Sequence, residues 1–236
     1  MSETFNVDRE PEPTDPEQEK RKIKYWDDFA KKHIAEMRVL FRGGKLWQRD
    51  GLRNVVEHSL PQGAAIEVLS EMLELPDEEK ELLIKNSICH DWDKRLEKRA
   101  DDFTQEDKEK AMEFLKKEML DSNLQAATKP DFAGQIVEAK KDGKEIPITQ
   151  LLMFYIDDIT FGGQDKPGTI VPFEERLKDT YERYPNLDDK HWDIESKAGH
   201  IAEDTIFNLL KEKGVAIEKA EDLPMLVVGA IESKYK

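Results

Sequence analysis

The sequence predicts an all-α fold, in which one helical domain follows a disordered acidic tail. Apolar residues recur at helical spacing along most of the chain, glycine and proline separate the periodic segments, and evidence for strands is thin. The 236 residues are enough for one domain with a sizeable core or for a domain plus a small appendage. We therefore predict a tail at 1–22 and a single domain at 23–236.

The tail is predicted from composition. Within 1–22, Pro11, Pro13 and Pro16 stand among acidic and small polar residues. Such a segment buries too little apolar area to offset the entropy of ordering the chain. From Ile23 the apolar residues take helical spacing, which continues to Phe41 and predicts a first helix that stops at the glycine pair 43–44.

The segment 52–75 is predicted to form the next helix, with its entrance near Ser59. Ser59 and Gln62 have the spacing of a capping box, and Pro61 is tolerated in a first helical turn. On this interpretation His58 stands at the entrance of the helix and not inside it.

A further helix is predicted after Pro76, where consecutive acidic residues suit a first turn. It should end at His90 and Asp91. The preceding residue, Cys89, is the single cysteine of the chain; we expect it to be a small buried hydrophobe, and no intrachain disulfide or cysteine-based zinc cage can form.

The rest of the chain also shows helical periodicity. The segments concerned are 104–120, 131–141, 149–160, 173–184 and 198–210. Of these, 149–160 is apolar nearly all round, which indicates a buried helix. The apolar run at 226–228 is compatible with a helix or a strand.

Charge and hydropathy narrow the class of partner. Fifty-two acidic and 37 basic residues give a net charge of −15, which repels nucleic-acid polymers on average. A small anionic substrate is still compatible, because a bound metal reverses the field locally. No apolar run approaches the roughly 18 residues of a membrane span, and the N-terminus has no apolar signal core. We expect a cytoplasmic protein without a membrane or nucleic-acid partner, and the oligomeric state stays open.

Polar pairs interrupt two segments that should be buried. His90-Asp91 closes one apolar helix and Asp157-Asp158 interrupts the most apolar one. A buried carboxylate is normally paired, hydrogen-bonded or bound to metal. Imidazole and carboxylate together suit Mn, Fe, Co, Ni or Mg. Without a metal, Asp157 would be the partner of a buried arginine such as Arg53 or Arg176, and periodicity alone cannot choose between the two aspartates.

Three segments in order carry a resemblance to HD-domain phosphohydrolases. The segment 53–59, ending in Glu57-His58-Ser59, resembles the first-histidine motif of that superfamily. The segment 90–94 follows His58 by 32 residues and resembles the His-Asp doublet with its following lysine. Tyr155-Ile156-Asp157 resembles the last ligand motif.

The resemblance implies an HD-type helical bundle that binds one divalent metal ion through His58, His90, Asp91 and Asp157. It also implies hydrolysis of a small phosphate ester, for which nucleotides are one option. Asp157 is preferred to its neighbour because it directly follows the Tyr-Ile pair.

The histidines that are absent indicate the number of metals. No histidine stands between His90 and Asp157, whereas the similar two-metal subfamilies place further histidines there. The resemblance is therefore to a one-metal type. His191 and His200 follow the last ligand and are predicted to be surface or packing residues.

Roles follow for the neighbouring residues. Asp91 would serve both as ligand and as proton acceptor. Lys94 lies one helical turn away and would neutralise charge on the phosphate, although an exposed lysine at a helix end has the same sequence signature. Arg53 and Arg95 are further candidates for phosphate binding, because guanidinium matches the geometry of phosphate.

Two alternative functions are compatible with an all-helical protein that does not catalyse phosphate-ester hydrolysis. One is a non-catalytic metal-binding or regulatory HD module. The other is an acidic helical interaction protein that binds no metal.

Overall fold

The computed structural model describes most of the chain beyond the predicted tail. The described residues are 28–33, 53–91, 104–118, 120–161 and 168–235. The tail at 1–22 lies outside them, and of the first predicted helix only 28–33 is described, with 28–32 helical. Within these ranges the regular structure is helical, apart from one isolated antiparallel bridge between Thr160 and Ile170. The predicted all-α class is confirmed, while the single HD-type domain stays a prediction.

The helices mostly follow the predicted segments. They are α1 (Arg53–Met72), α2 (Asp77–Cys89), α3 (Gln105–Lys117), α4 (Ser122–Ala126), α5 (Asp131–Lys141), α6 (Ile148–Ile159), α7 (Phe173–Arg183), α8 (Asp189–Glu212), a 3-10 turn (Ala220–Asp222) and α9 (Leu223–Lys234). The apolar run at 226–228 is therefore helical. Sequence periodicity missed α4, which is only five residues long and is capped by Asp121, whose carboxylate accepts from the backbone N–H groups of Asn123 and Leu124.

The predicted start of α1 is wrong. The helix begins at Arg53, so Pro61 lies inside it and His58 lies in its second turn instead of at its entrance. Ser59 and Gln62 therefore do not form a capping box. Because residues four apart share one helix face, the side chains of His58 and Gln62 meet instead.

The core is built around α6. This helix packs against α1, α2, α4, α7 and α8, and seven of its twelve residues are buried: Leu151, Leu152, Met153, Phe154, Tyr155, Ile156 and Ile159. Burying an apolar side chain of this size contributes about 1.5 to 3 kcal/mol relative to leaving it exposed. The predicted buried helix is thus confirmed, and its position in the centre brings its acidic end next to α1 and α2.

A buried carboxylate ties both ends of the described chain to α1. Glu67 is 2% exposed. It accepts hydrogen bonds from Lys32 and from the hydroxyl of Tyr235, and Lys234 Nζ lies 3.4 Å from its Oε1. The three donors satisfy a charge that would otherwise be costly to bury. In the described part of the chain, no helix combines the length and apolar composition needed to cross a membrane.

Candidate metal centre

Three helices bring two histidines and an aspartate together. His58 lies in α1, His90 is the C-cap residue of α2, and Asp157 lies near the end of α6. Both histidines are buried, and the side chain of Asp157 is 25% exposed. Because α6 packs against both other helices, its acidic end meets the two imidazoles.

The donor atoms converge on one small volume. His58 Nε2 lies 2.8 Å from Asp157 Oδ1, and His90 Nε2 lies 3.5 Å from the same oxygen. One ligand atom from each of the three residues lies within 4.8 Å of the other two. Ligands of one tetrahedral ion at about 2.0 to 2.2 Å are roughly 3 to 3.5 Å apart. The group is therefore compact enough to hold a single divalent ion.

The ring of His90 is oriented by the backbone of α2. Its Nδ1 lies 2.7 Å from the carbonyl oxygen of Ser87. A carbonyl oxygen only accepts, so Nδ1 donates, and in the neutral ring the lone pair is on Nε2. This is the arrangement in which metal-binding histidines are usually held, and it directs the lone pair to the side on which Asp157 lies.

Gln62 joins the site and was missed as a site residue by the sequence interpretation. It is 1% exposed, and its Nε2 lies 2.7 Å from Asp157 Oδ1 and 2.9 Å from His58 Nε2. An amide group has two hydrogens to donate, so it can serve both acceptors together. The signal was present in the sequence as the spacing of four residues from His58, but it requires a helix that begins before His58.

The pKa shifts of His58 and Asp157 favour the protonation states that bind metal. Burial lowers the pKa of His58, although Asp157 opposes this shift. Burial alone would raise the pKa of Asp157, but its interactions with His90 and His58 outweigh burial and hold the pKa well below its usual value. Neutral imidazole and ionised carboxylate are the forms that coordinate a metal.

Asp91, the fourth predicted ligand, lies beside this group and not in it. It is 8% exposed, and its Oδ1 lies 3.5 Å from His90 Nε2. Its role as a ligand therefore stays a prediction. Lys94 and Arg95 lie outside the described residues, and of Arg53 only the backbone is described, so the three predicted phosphate-binding residues are untested.

The two adjacent aspartates have different environments. Successive residues on an α-helix point about 100° apart, so only Asp157 faces the histidines. The Oδ2 atom of Asp158 is buried and has no hydrogen-bond partner among the described residues. Burial, followed by the charges of Glu195 and Asp157, raises the pKa of Asp158 well above its usual value.

A cavity of about 370 Å³ opens on the Asp157 side of the group. It lies between α6, α7 and α8 and is closed on one side by 128–130. Both aspartates line it, together with Arg176 and Glu195. Arg176 was considered above as an ion-pair partner for Asp157. It interacts electrostatically with both aspartates, but its direct contacts are to Asp179 at 3.3 Å and Thr180 at 2.6 Å.

The two later histidines have different positions. His200 is on the surface, as predicted: its side chain is 46% exposed, and its Nε2 lies 2.8 Å from Glu174 Oε1. His191 lines the cavity, and its Nε2 lies 3.8 Å from Glu195 Oε1. The sequence interpretation missed this placement because α7, which helps to form the cavity, comes from a separate part of the chain.

No family model, curated protein or solved structure matches this chain. The case for a metal therefore depends on the chemistry of the donors. Two imidazole nitrogens and one carboxylate oxygen suit Mn, Fe, Co or Ni better than a purely oxygen-loving ion.

Proposed function

We propose that the protein is a metal-dependent phosphohydrolase of the HD type that cleaves a small phosphate ester. The observation that carries the proposal is the convergence of His58, His90 and Asp157 within 4.8 Å of one another. The order of these residues along the chain supports it, because it matches the resemblance described above. A cytoplasmic location and the absence of a nucleic-acid or membrane partner belong to the same proposal.

The metal would be held by His58, His90 and Asp157, with Asp91 near enough to be tested as a fourth ligand. When bound, a divalent ion lowers the pKa of a water molecule towards about 7 and polarises a phosphoryl oxygen. The reaction forms a bond between the water oxygen and phosphorus and breaks the ester P–O bond. The water gives up a proton, and the departing alcohol takes one.

The chain's own residues have two tasks in this reaction. Asp91 would accept the proton of the attacking water, because it lies beside His90. Arg176 would orient the phosphate: it lines the cavity with Asp157, and its Nε is buried without a hydrogen-bond partner among the described residues. Guanidinium suits phosphate because it offers several donors in one plane. Lys94, Arg53 and Arg95 remain further candidates for this task.

The decisive experiment joins metal analysis with a substrate screen. Purified protein would be loaded with Mn, Fe, Co, Ni or Mg and assayed on p-nitrophenyl phosphate and a panel of phosphate esters that includes nucleotides. We expect metal-dependent release of phosphate, which His90→Ala abolishes together with metal retention. His200→Ala removes an imidazole at the surface and should change neither.

The same experiment separates the alternatives. Bound metal with no turnover on any ester would favour the non-catalytic metal-binding or regulatory module. Failure to retain any metal would overturn the proposal and leave an acidic helical interaction protein.

A further inference from the structure

The cavity beside the metal centre has an excess of carboxyl groups. Asp157, Asp158 and Glu195 all line it. Asp157 is engaged by the two imidazoles. The other two carboxyl groups have few close partners. Asp158 Oδ2 is buried without a hydrogen-bond partner among the described residues, and the imidazole of His191 lies 3.8 Å from Glu195.

The carboxyl groups of the cavity make a negative charge on Glu195 unfavourable. Burial, and then the charge of Asp157, raises the pKa of Glu195 to about 7. Ionisation of Glu195 is therefore costly in the absence of a cation. A positive group entering the cavity would remove this cost.

Arg176 lines the cavity but does not neutralise Asp158 and Glu195. Arg176 divides its charge between the aspartates and Asp179, which also accepts from Arg183. Arg176 makes no ion pair with Asp158 or Glu195 in the described part of the chain; its ion pair is with Asp179.

The walls of the cavity are aromatic. Phe154, Phe173, Tyr184 and Trp192 line it, and aromatic faces attract ammonium groups, most strongly where water is excluded. Trp192 is 8% exposed, and its indole Nε1 has no hydrogen-bond partner among the described residues. A buried donor of this kind normally has an acceptor, which points to a ligand that also carries oxygen atoms.

We propose that this cavity takes the organic part of the phosphate ester and that this part carries a positively charged ammonium group, as in a phosphorylated amino alcohol. The phosphate lies towards Asp157 and Arg176, and the ammonium lies against Asp158, Glu195 and the aromatic walls. The volume of about 370 Å³ falls within the range of roughly 300 to 1,000 Å³ that is usual for small-molecule sites. The inference rests on the proposed function for the phosphate end alone.

The test compares two esters of the same shape and different charge. Choline phosphate and 3,3-dimethylbutyl phosphate differ only by a quaternary nitrogen in place of a carbon. We expect kcat/KM to be about tenfold or more higher for choline phosphate, which is the scale of a desolvated cation–aromatic contact. Equal values, or a preference for the neutral ester, would overturn the inference even if both esters were hydrolysed.

A binding measurement separates this result from failure of the proposed function. Calorimetric titration with choline and with 3,3-dimethylbutanol needs no turnover, and choline should bind at least tenfold more tightly. Binding of choline without hydrolysis of any ester would support the ammonium site and overturn the phosphohydrolase proposal. Hydrolysis of p-nitrophenyl phosphate, with choline bound no more tightly than 3,3-dimethylbutanol, would support the phosphohydrolase proposal and overturn the ammonium site.

A pair of variants tests the residue assignment. Glu195→Gln should reduce the preference for the cationic ester to near one. Asp193→Asn makes the same change in charge on α8, at a side chain that is 58% exposed and paired with Lys197, and should keep the preference. Loss of the preference in both variants would show that it comes from the overall charge of the protein and would overturn the assignment to the cavity.

Discussion

His58 Nε2 lies 2.8 Å from Asp157 Oδ1, although the two residues are 99 positions apart in the chain. The contact joins α1 to α6 at a point where a second imidazole, from His90, also approaches the carboxylate. The two imidazoles and the carboxylate together form a group whose ligand atoms lie close enough to hold one metal ion.

The adjacent aspartates provide a matched test of metal binding. Asp157→Asn removes the charged ligand, and we expect metal affinity to fall by at least about 100-fold, since even outer partners of ligands cost about 10- to 100-fold when removed. Asp158→Asn makes the same chemical change one residue later, outside the donor group, and should retain the metal. Equilibrium dialysis with Co or Mn measures both affinities. Similar losses in the two variants would contradict the assignment of Asp157.

Gln62 should matter most when no metal is bound. Its amide serves two acceptors, the buried His58 Nε2 and the part-buried Asp157 Oδ1, and an unsatisfied buried group costs about 1 to 3 kcal/mol. Gln62→Leu should therefore lower the free energy of unfolding by about 2 kcal/mol in chelator. A bound ion would satisfy the same two atoms, so added metal should recover most of the loss.

A second buried glutamine supplies the control for this prediction. Gln125 donates to Asn86 Oδ1 at 2.9 Å and to the carbonyl oxygen of Asn86 at 3.1 Å, neither of which belongs to the metal group. Gln125→Leu should lower stability equally with and without metal. Denaturant unfolding with metal and with chelator measures the free energy of unfolding of both variants. If metal does not reduce the stability lost in Gln62→Leu, the hydrogen bonds of Gln62 to the metal group do not account for that loss.

Glu195 should make the metal-free protein less stable as the pH rises. Its pKa is about 7 in the folded protein, against an ordinary value of 4.5, so the folded state binds more protons than the unfolded state between these values. Stability from this group is present below about pH 4.5 and is lost as the pH rises through 7, with a magnitude on the order of 3 kcal/mol. Glu195→Gln removes this dependence.

The contribution of Glu195 is the difference in unfolding free energy between wild type and Glu195→Gln, because other groups titrate over the same pH range. The pKa values of His58 and Asp157 are lowered, so these groups lose stability in the opposite direction, as the pH falls. Unfolding in urea and chelator at pH 5 and pH 8 should show the variant gaining stability relative to wild type at the higher pH. If wild type and variant differ in stability by the same amount at pH 5 and at pH 8, the pKa of Glu195 is not raised in the folded protein.

Gly199 allows α7 and α8 to approach closely beside the cavity. A Cβ atom at this position would lie 1.9 Å from Phe173 Cζ, so Gly199→Ala must displace the ring or the helix. We expect a loss of about 1 to 3 kcal/mol, the usual cost of overpacking. Metal affinity should persist, because Phe173 belongs to the cavity and not to the donor group.

Gly134 is the matched position for that change. It lies in α5, and a Cβ there meets nothing within 4 Å. Gly134→Ala should raise stability by about 0.5 to 1 kcal/mol, because alanine is the better helix former. Thermal unfolding measures both variants, and equal effects would contradict the close contact at Gly199.

The sequence alone determined the helical class and the choice of residues to test. Periodicity revealed α5 with its ends, and the uniformly apolar character of 149–160 identified α6 as buried. The polar residues at the ends of such segments were informative because burial of an unpaired charge is costly. Local pattern could not fix the start of α1, since a proline three residues after a histidine fits both a first turn and a helix interior.

Only the tertiary structure decided which polar atoms meet. It separated Asp157 from Asp158, placed Gln62 in hydrogen-bond contact with the donor group, left Asp91 beside it, and formed a cavity from helices that are distant in sequence. The physical reason is that helical periodicity records which face of a helix is apolar, while contacts between helices depend on how those faces pack. That packing is a property of the whole core, and no segment carries it by itself.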